Sequence, residues 1–180
     1  MNQDHNLVWM DLEMTGLRPN QDVILEIACV ITDSNLTVIA VGPSLVIKQP
    51  DELLADMNDV VRAMHTTSGL IEKVRESEVS FSDAYAQTLS FIKSHCAPGT
   101  AHLCGSSIWQ DRLFLQKYMP DILTHLHYRM IDVSSIKECV TRWYAFDPQV
   151  IFEKKKNHRA LDDVYESIAE LKHYRKYFFV

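Results

Sequence analysis

The run LVWMDLEMTGL (7–17) decides the fold of this chain. Its apolar beginning predicts a buried strand, and successive side chains of a strand point to opposite faces. Asp11 and Glu13 therefore lie on the same face, one pleat apart. Two buried like charges are costly unless a cation compensates them. Because Gly16 can turn the chain directly afterwards, the run indicates a divalent-metal site at a strand end. Two solvated acids at a strand terminus are the alternative, which is the commoner case for an isolated Asp-x-Glu.

The segments around this run predict one α/β domain over residues 1–180 with a mixed sheet. Three strands come first, and their short connections indicate an antiparallel meander, at 5–13, 23–31 and 36–47. Two further strands are expected at 101–104 and 128–131. Apolar residues recur at helical spacing elsewhere, up to 65 and over 70–74, 81–92, 108–118, 120–126, 135–143 and 160–174. Ser134 or Ser135 is predicted to cap the helix that ends near 143.

Composition excludes several classes of protein. The chain has 180 residues, 47% of them hydrophobic and 23% charged, as in ordinary globular proteins. No apolar run approaches the ~18 residues that a membrane span needs, and the polar start 1–5 does not resemble a signal peptide. We therefore expect a cytoplasmic protein with no membrane partner. The four cysteines form no Cys-x-x-Cys pair, which favours reduced thiols over a zinc site or disulfides.

The net charge of −6 limits which nucleic acids the chain is expected to bind. Proteins that hold long nucleic acids usually present a basic face, because phosphate contacts dominate that affinity. An acidic chain argues against tracking a long polyanion. It remains compatible with a local phosphate site in which bound divalent ions supply positive charge. The charge therefore favours a short substrate.

Three later residues extend the acidic pattern. Asp111 lies early in a predicted helix, directly after a strand and the turn Gly105-Ser106-Ser107 (105–107). Asp163 lies one turn into the last helix, and His158 precedes it by five residues on the loop before that helix. That spacing lets both face one cleft. Each residue alone has a structural explanation, such as an aspartate favoured by the helix dipole. Together with the Asp-x-Glu motif, they are far less expected by chance.

Six motifs along nearly the whole chain carry a resemblance to a known family. They are DLEMTGL (11–17), GSSIWQD (105–111), HYRMIDVSS (127–135), NHRALDD (157–163), HTTSGL (65–70) and DVILEIA (22–28). In these motifs the chain resembles the DEDDh family of 3′-to-5′ exonucleases, and most closely its members that act on very short RNA. The resemblance implies a ribonuclease H-like mixed sheet, with three antiparallel strands, then two further strands, and helices on both faces.

The resemblance also implies the catalytic chemistry. Asp11, Glu13, Asp111 and Asp163 would be the metal ligands, and their oxygen-rich set suits two Mg²⁺ or Mn²⁺ ions per active site. His158 would be the general base that takes a proton from the attacking water. The products would be nucleoside 5′-monophosphates, released from the 3′ end.

The same resemblance implies a short substrate, a dinucleotide with a 5′ phosphate, bound by a homodimer. The residues mapped to the 5′ phosphate are His65, Ser107, Arg129 and Ser134, with Tyr128 contributed across the dimer. Leu17 resembles an apolar wedge between the two bases. Each has an alternative: Arg129 as a surface salt bridge, Ser134 as a helix cap and Leu17 as core.

Some positions stay open. Val60-Val61 (60–61) stands where many relatives carry an aromatic residue, so base stacking is either missing or supplied by Trp109 or Met64. Glu26 is either a partner of the site or a polar residue at a strand edge. The basic run 154–156 is either a solvated loop or an aid to phosphate attraction.

Three functions therefore compete. The motif set favours an exonuclease of very short RNA, including dinucleotides. A DEDDh exonuclease of longer RNA or DNA is the second possibility. A non-catalytic interaction module on the same fold is the third, and it would predict a missing metal ligand, whereas all four acids are present.

Overall fold

A computed structural model of the chain describes residues 5–153 and 158–179. Its centre is a five-stranded sheet in the order β3-β2-β1-β4-β5. The strands are β1 (Leu7–Met14), β2 (Ile24–Thr32), β3 (Val38–Val46), β4 (His102–Gly105) and β5 (Met130–Asp132). β1, β2 and β3 are antiparallel, whereas β4 runs parallel to β1 and β5 parallel to β4. The predicted mixed sheet is therefore confirmed.

Helices fill the connections. They are α1 (Asp51–Ala55), α2 (Asp59–Thr67), α3 (Leu70–Glu76), α4 (Phe81–His95), α5 (Ile108–Tyr118), α6 (Pro120–His125), α7 (Val133–Trp143) and α8 (Ala160–Phe178). One turn of 3₁₀ helix, Pro148–Val150, lies within the segment predicted as a loop. The last helix runs past the expected end near 174, because Tyr174 and Phe178 continue its buried stripe.

The predicted cap of α7 is wrong. Its N-cap is Asp132, whose side chain accepts a hydrogen bond from the backbone N–H of Ser134. The carboxylate at the end of β5 already occupies the capping position, so neither Ser134 nor Ser135 is needed there. The consequence is that the Ser134 hydroxyl is available for a contact elsewhere.

Helices cover both faces of the sheet, as expected. Val8, Met10, Leu12 and Met14 point from β1 into a core formed with α4, α5 and α6. The intervening Leu7 and Trp9 point into a second core formed with α7 and α8. Because side chains alternate, the acids that follow Trp9 at every second position lie on the α8 face.

Within the described ranges, no helix is both long enough and apolar enough to cross a membrane. All four cysteines are free thiols, and three of them are buried.

Candidate active site

Three carboxylates from two elements meet on the α8 face of the sheet. Asp11 and Glu13 come from β1 and Asp163 from the first turn of α8, and each offers an oxygen within 4.8 Å of the other two. Glu13 is only 6% exposed, whereas Asp11 and Asp163 are half-buried. The prediction that these acids share one site is therefore matched by their geometry.

Asp111 contacts the same strand at its β4 edge. It lies in the first turn of α5, and its Oδ1 accepts a hydrogen bond of 2.9 Å from the Leu12 N–H. β1 pairs with β4 only between Leu7 and Trp9, so this edge of β1 is open farther along. Asp111 is not one of the three mutually close acids, but its charge is near enough to raise the pKa of Asp11.

Burial and mutual repulsion disfavour the charged forms of these acids. Burial, followed by repulsion from Asp111 and Glu13, raises the pKa of Asp11 well above its usual range. Burial, then repulsion from Asp163, raises the pKa of Glu13 to about 8. Burial likewise raises the pKa of Asp111 to about 7, although the Leu12 N–H opposes that shift. A divalent cation would relieve this repulsion, so the donor set fits a hard metal ion.

Two predicted site histidines lie near these elements: His158 lies just before α8, and His65 lies next to Glu13. His158 is half-buried, directly before α8, with a φ of 50°. His65 is fully buried, and its Nε2 donates to the Met14 carbonyl at 2.8 Å. Its Nδ1 lies 3.8 Å from a Glu13 carboxylate oxygen. Burial lowers the pKa of His65. Its ring therefore contacts β1 from the interior, and its predicted contact with a 5′ phosphate stays a prediction.

Two of the predicted phosphate residues meet at the starts of α5 and α7. Ser107, with a φ of 53°, donates its N–H to Asp132 Oδ1 at 3.0 Å and to Ser134 Oγ at 2.9 Å. The hydroxyls of Ser107 and Ser134 are 3.0 Å apart. The Ser134 hydroxyl, which does not cap α7, thus forms a polar cluster with Ser107 and Asp132.

Tyr128 and Arg129 stand exposed on the segment before β5. Tyr128 is 69% exposed, and its ring stacks on His127 with centroids 4.5 Å apart. The Arg129 Cζ lies 5.3 Å from the centre of the Tyr128 ring. Arg129 forms no ion pair with any residue that the structure describes, so its salt-bridge alternative finds no support there.

Leu17 is 66% exposed, so its alternative placement in the core is wrong. Its carbonyl accepts a hydrogen bond from the Gln110 side chain at 2.8 Å. A Cβ on the preceding Gly16 would lie 2.7 Å from the Asp22 carboxylate, and that carboxylate accepts the Arg18 N–H at 2.8 Å. Gly16 is therefore needed for close packing. Gln110 and Asp22 hold the loop that contains Leu17. No pattern of residue spacing in the sequence predicts either contact.

The side chains considered for stacking on a base differ in exposure. Val60 is 80% exposed and Trp109 is 53% exposed, whereas Met64 is half-buried. Trp109 lies two residues before Asp111 in α5. Of the two substitutes considered, Trp109 is the more exposed.

Glu26 lies in the interior, and its strand-edge alternative is wrong. β2 lies between β3 and β1, and Glu26 is 1% exposed. Its carboxylate accepts hydrogen bonds from Arg159 at 2.6 and 3.0 Å. Arg159 is a residue that the sequence analysis did not single out. The basic run 154–156 and the first residue of the NHRALDD motif lie outside the described residues.

The exonuclease family model matches residues 8–171 of this chain. The chain is 52% identical to the oligoribonuclease of Ruthia magnifica subsp. Calyptogena magnifica over 178 residues, covering 99% of this chain and 98% of that protein. It is 50% identical to the oligoribonuclease of Vibrio parahaemolyticus, covering 98% and 97%. The human mitochondrial oligoribonuclease is 49% identical, covering 96% of this chain and 73% of that protein.

Solved structures share the fold at low sequence identity. Exonuclease I from Methylocaldum szegediense superposes with a TM-score of 0.69 at 15% identity, covering 97% of this chain and 41% of that one. E. coli Exonuclease I in complex with a dA16 oligonucleotide gives a TM-score of 0.70 at 16% identity, covering 96% and 41%. These neighbours confirm the ribonuclease H-like fold. With the full-length relatives and the matching family model, they show that this chain is a nuclease and belongs to the oligoribonucleases of the DEDDh exonuclease family.

Proposed function

We propose that this chain is a metal-dependent 3′-to-5′ exoribonuclease. It degrades very short RNA, dinucleotides in particular, to nucleoside 5′-monophosphates. One observation carries the proposal. The acids Asp11, Glu13 and Asp163 present oxygens within 4.8 Å of one another, in a chain about half identical to oligoribonucleases over nearly its full length.

Asp11, Glu13, Asp111 and Asp163 would hold two Mg²⁺ or Mn²⁺ ions. When bound, such ions stabilise the charge that develops on the phosphate and align the attacking and leaving oxygens. The chain itself supplies a rigid cradle. Glu13 stands on the central strand, and Asp111 is held by the Leu12 N–H. Asp163 is held by its own N–H bond to Arg159 at 3.0 Å.

His158 is the general base in this proposal. It takes the proton of the water whose oxygen attacks phosphorus. The bond from phosphorus to the 3′ oxygen breaks, which leaves a 5′-phosphate on the released nucleotide and a 3′-hydroxyl on the other product. The position of His158 directly before α8, one turn from Asp163, supports this role. A positioned base of this kind contributes about 10²–10⁴-fold in rate.

The length restriction comes from the other end of the substrate. Leu17 inserts between the two bases, and its exposure of 66% supports that role. Ser107, Ser134 and Arg129 hold the 5′ phosphate; the assignment of His65 to it rests on the family resemblance, since its side chain is fully buried. A guanidinium fork and hydroxyl donors both suit phosphate oxygens. Because the net charge is −6, the protein surface offers little positive charge to bind the phosphates of a longer RNA strand.

The working form is a homodimer in the cytoplasm, in which Tyr128 completes the site of the partner subunit. Two observations support this arrangement. Tyr128 is 69% exposed, and Trp143 and Phe179 expose 74% and 59% of their surface on α7 and just beyond α8. Light scattering at micromolar protein tests it, and a strictly monomeric mass would rule the dimer out.

The deciding experiment measures turnover of 5′-phosphorylated RNA of two, three, five and twenty nucleotides with Mg²⁺, each repeated with a chelator. We expect metal-dependent cleavage that is fastest on the dinucleotide. Equal or faster cleavage of the twenty-mer would replace the length restriction with a trimming activity on longer strands. No cleavage of any length would refute the proposed function.

A further inference from the structure

A partly buried ion pair joins the sheet to the segment that carries His158. Glu26 on β2 and Arg159 have side chains that are 1% and 24% exposed. The guanidinium donates from Nε to Oε2 at 3.0 Å and from Nη2 to Oε1 at 2.6 Å. A two-pronged contact of this kind fixes direction as well as distance. The beginning of α8 is therefore locked to the sheet at one point.

The same carboxylate also caps α8. The Ala160 N–H donates to Glu26 Oε2 at 3.3 Å. The residue at the N-cap position, Arg159, makes no capping bond with its own side chain. The first N–H groups of a helix have no partner inside it, and a carboxylate there is favoured by the helix dipole. Glu26 thus replaces a local cap from 134 positions away.

The backbone is constrained on both sides of Arg159. His158, the residue before it, has a φ of 50°. That conformation is uncommon outside glycine and persists only where the surroundings hold it. On the other side, the Arg159 carbonyl accepts the Asp163 N–H at 3.0 Å. Glu26 itself stands opposite Glu13 in the β1–β2 register. The ion pair therefore connects the segment that carries His158 and Asp163 to β2, at the position that stands opposite Glu13 of β1.

We propose that Glu26 and Arg159 are positioning residues, whose ion pair sets where His158 and Asp163 stand relative to the acids of β1. The inference rests on the proposed function, in which those residues act on the phosphate. Neither member of the pair needs to touch the substrate. Because the two charges cancel, replacing both changes geometry while it leaves the net charge around the acids unaltered.

The test compares Glu26→Met, Arg159→Met and the double variant. Each single substitution leaves a charge without its partner, so we expect a lowered Tm. The double variant replaces the pair with apolar side chains of similar length, which is often neutral or stabilising in buried sites. We expect it to fold with a Tm near that of the wild type. Its kcat on the dinucleotide should fall about 10–100-fold, as when residues that orient metal ligands are lost, with KM little changed.

A matched control is the exposed pair of Arg75 and Asp51, 2.9 Å apart, which joins α3 to α1. Arg75→Met should keep the wild-type kcat. A second readout does not depend on activity. Amide hydrogen exchange over residues 158–163 should be faster in the double variant than in the wild type and unchanged in Arg75→Met.

A folded double variant with wild-type kcat would overturn the proposal, as would unchanged exchange over 158–163. If the double variant does not fold, Arg159→Lys decides. It keeps the charge but loses the fork, so the positioning role predicts a reduced kcat at a near-normal Tm, whereas a purely stabilising role predicts wild-type kcat. If the wild type itself does not cleave the dinucleotide, the proposed function fails, and the exchange comparison still decides on the ion pair.

Discussion

Replacing Glu13 by glutamine should stabilise the metal-free protein at alkaline pH and remove most of its activity. Glu13 is 6% exposed. Burial, followed by the charges of Asp163, Glu26 and Asp111, raises its pKa from 4.5 to about 8, with Arg159 opposing the shift. Glutamine keeps the shape of the side chain and carries no charge at any pH. The variant therefore removes the cost of ionising a carboxylate at this position.

The sign of the effect follows from proton binding. A carboxyl with a higher pKa in the folded state than in the unfolded state binds its proton more tightly when folded. The stabilisation is fully present below pH 4.5 and is lost as pH rises through about 8. At about 1.4 kcal/mol for each pKa unit, the rise of the Glu13 pKa from 4.5 to about 8 corresponds to a loss of roughly 5 kcal/mol of unfolding free energy. The unfolding free energy of Glu13→Gln should not show this loss as the pH rises.

The assay is urea unfolding with a chelator at about pH 5 and about pH 9. We expect similar stabilities at the lower pH, and a variant that is more stable by roughly 4–5 kcal/mol at the higher pH. The control is Glu52→Gln on α1, an exposed carboxylate. Substitution there should change stability by less than about 0.5 kcal/mol at either pH.

Adding Mg²⁺ should narrow this difference in stability. A ligand at about 100 times its Kd stabilises the folded state by about 2.7 kcal/mol, and the wild type should gain more of this than the variant. A Glu13→Gln protein that is no more stable than the wild type at alkaline pH with chelator would refute the electrostatic reasoning. An equal gain with Mg²⁺ would refute the role of Glu13 as a metal ligand.

Three further substitutions separate the proposed roles. His158→Ala should lower kcat about 10²–10⁴-fold, while Mg²⁺ still raises the Tm; full activity at neutral pH would remove the general-base role. Leu17→Ala should raise KM for the dinucleotide with kcat largely kept, and because Leu17 is 66% exposed the Tm should not change; a lowered Tm would contradict a surface wedge. Arg129→Met should lower kcat/KM about 10–100-fold on 5′-phosphorylated dinucleotides, because a charge-assisted hydrogen bond contributes about 1.5–3 kcal/mol. The same variant should act normally on 5′-hydroxyl dinucleotides, and equal losses on both substrates would contradict a phosphate contact.

Local patterns in the sequence were enough to predict the strands and helices and to place some of the site residues on them. The alternation of a strand places Asp11 and Glu13 on one face whatever packs on it. The spacing of His158 and Asp163 places both at the start of one helix. These inferences hold because the period of a strand and the pitch of a helix depend only on neighbouring residues.

Contacts between distant segments were decided by the tertiary structure. Asp132 caps α7 in place of the expected serines, Asp111 takes the Leu12 N–H across 99 positions, and Arg159 meets Glu26 across 133. The register of β1 and β2 sets which acids face each other, and the packing of α8 sets which of them receives a partner. The sequence by itself placed Asp11 and Glu13 on one face of a strand, and His158 and Asp163 at the start of one helix. Only the folded chain decided which of them are buried, charged and held in place, because burial and pairing depend on distances between elements that no local period specifies.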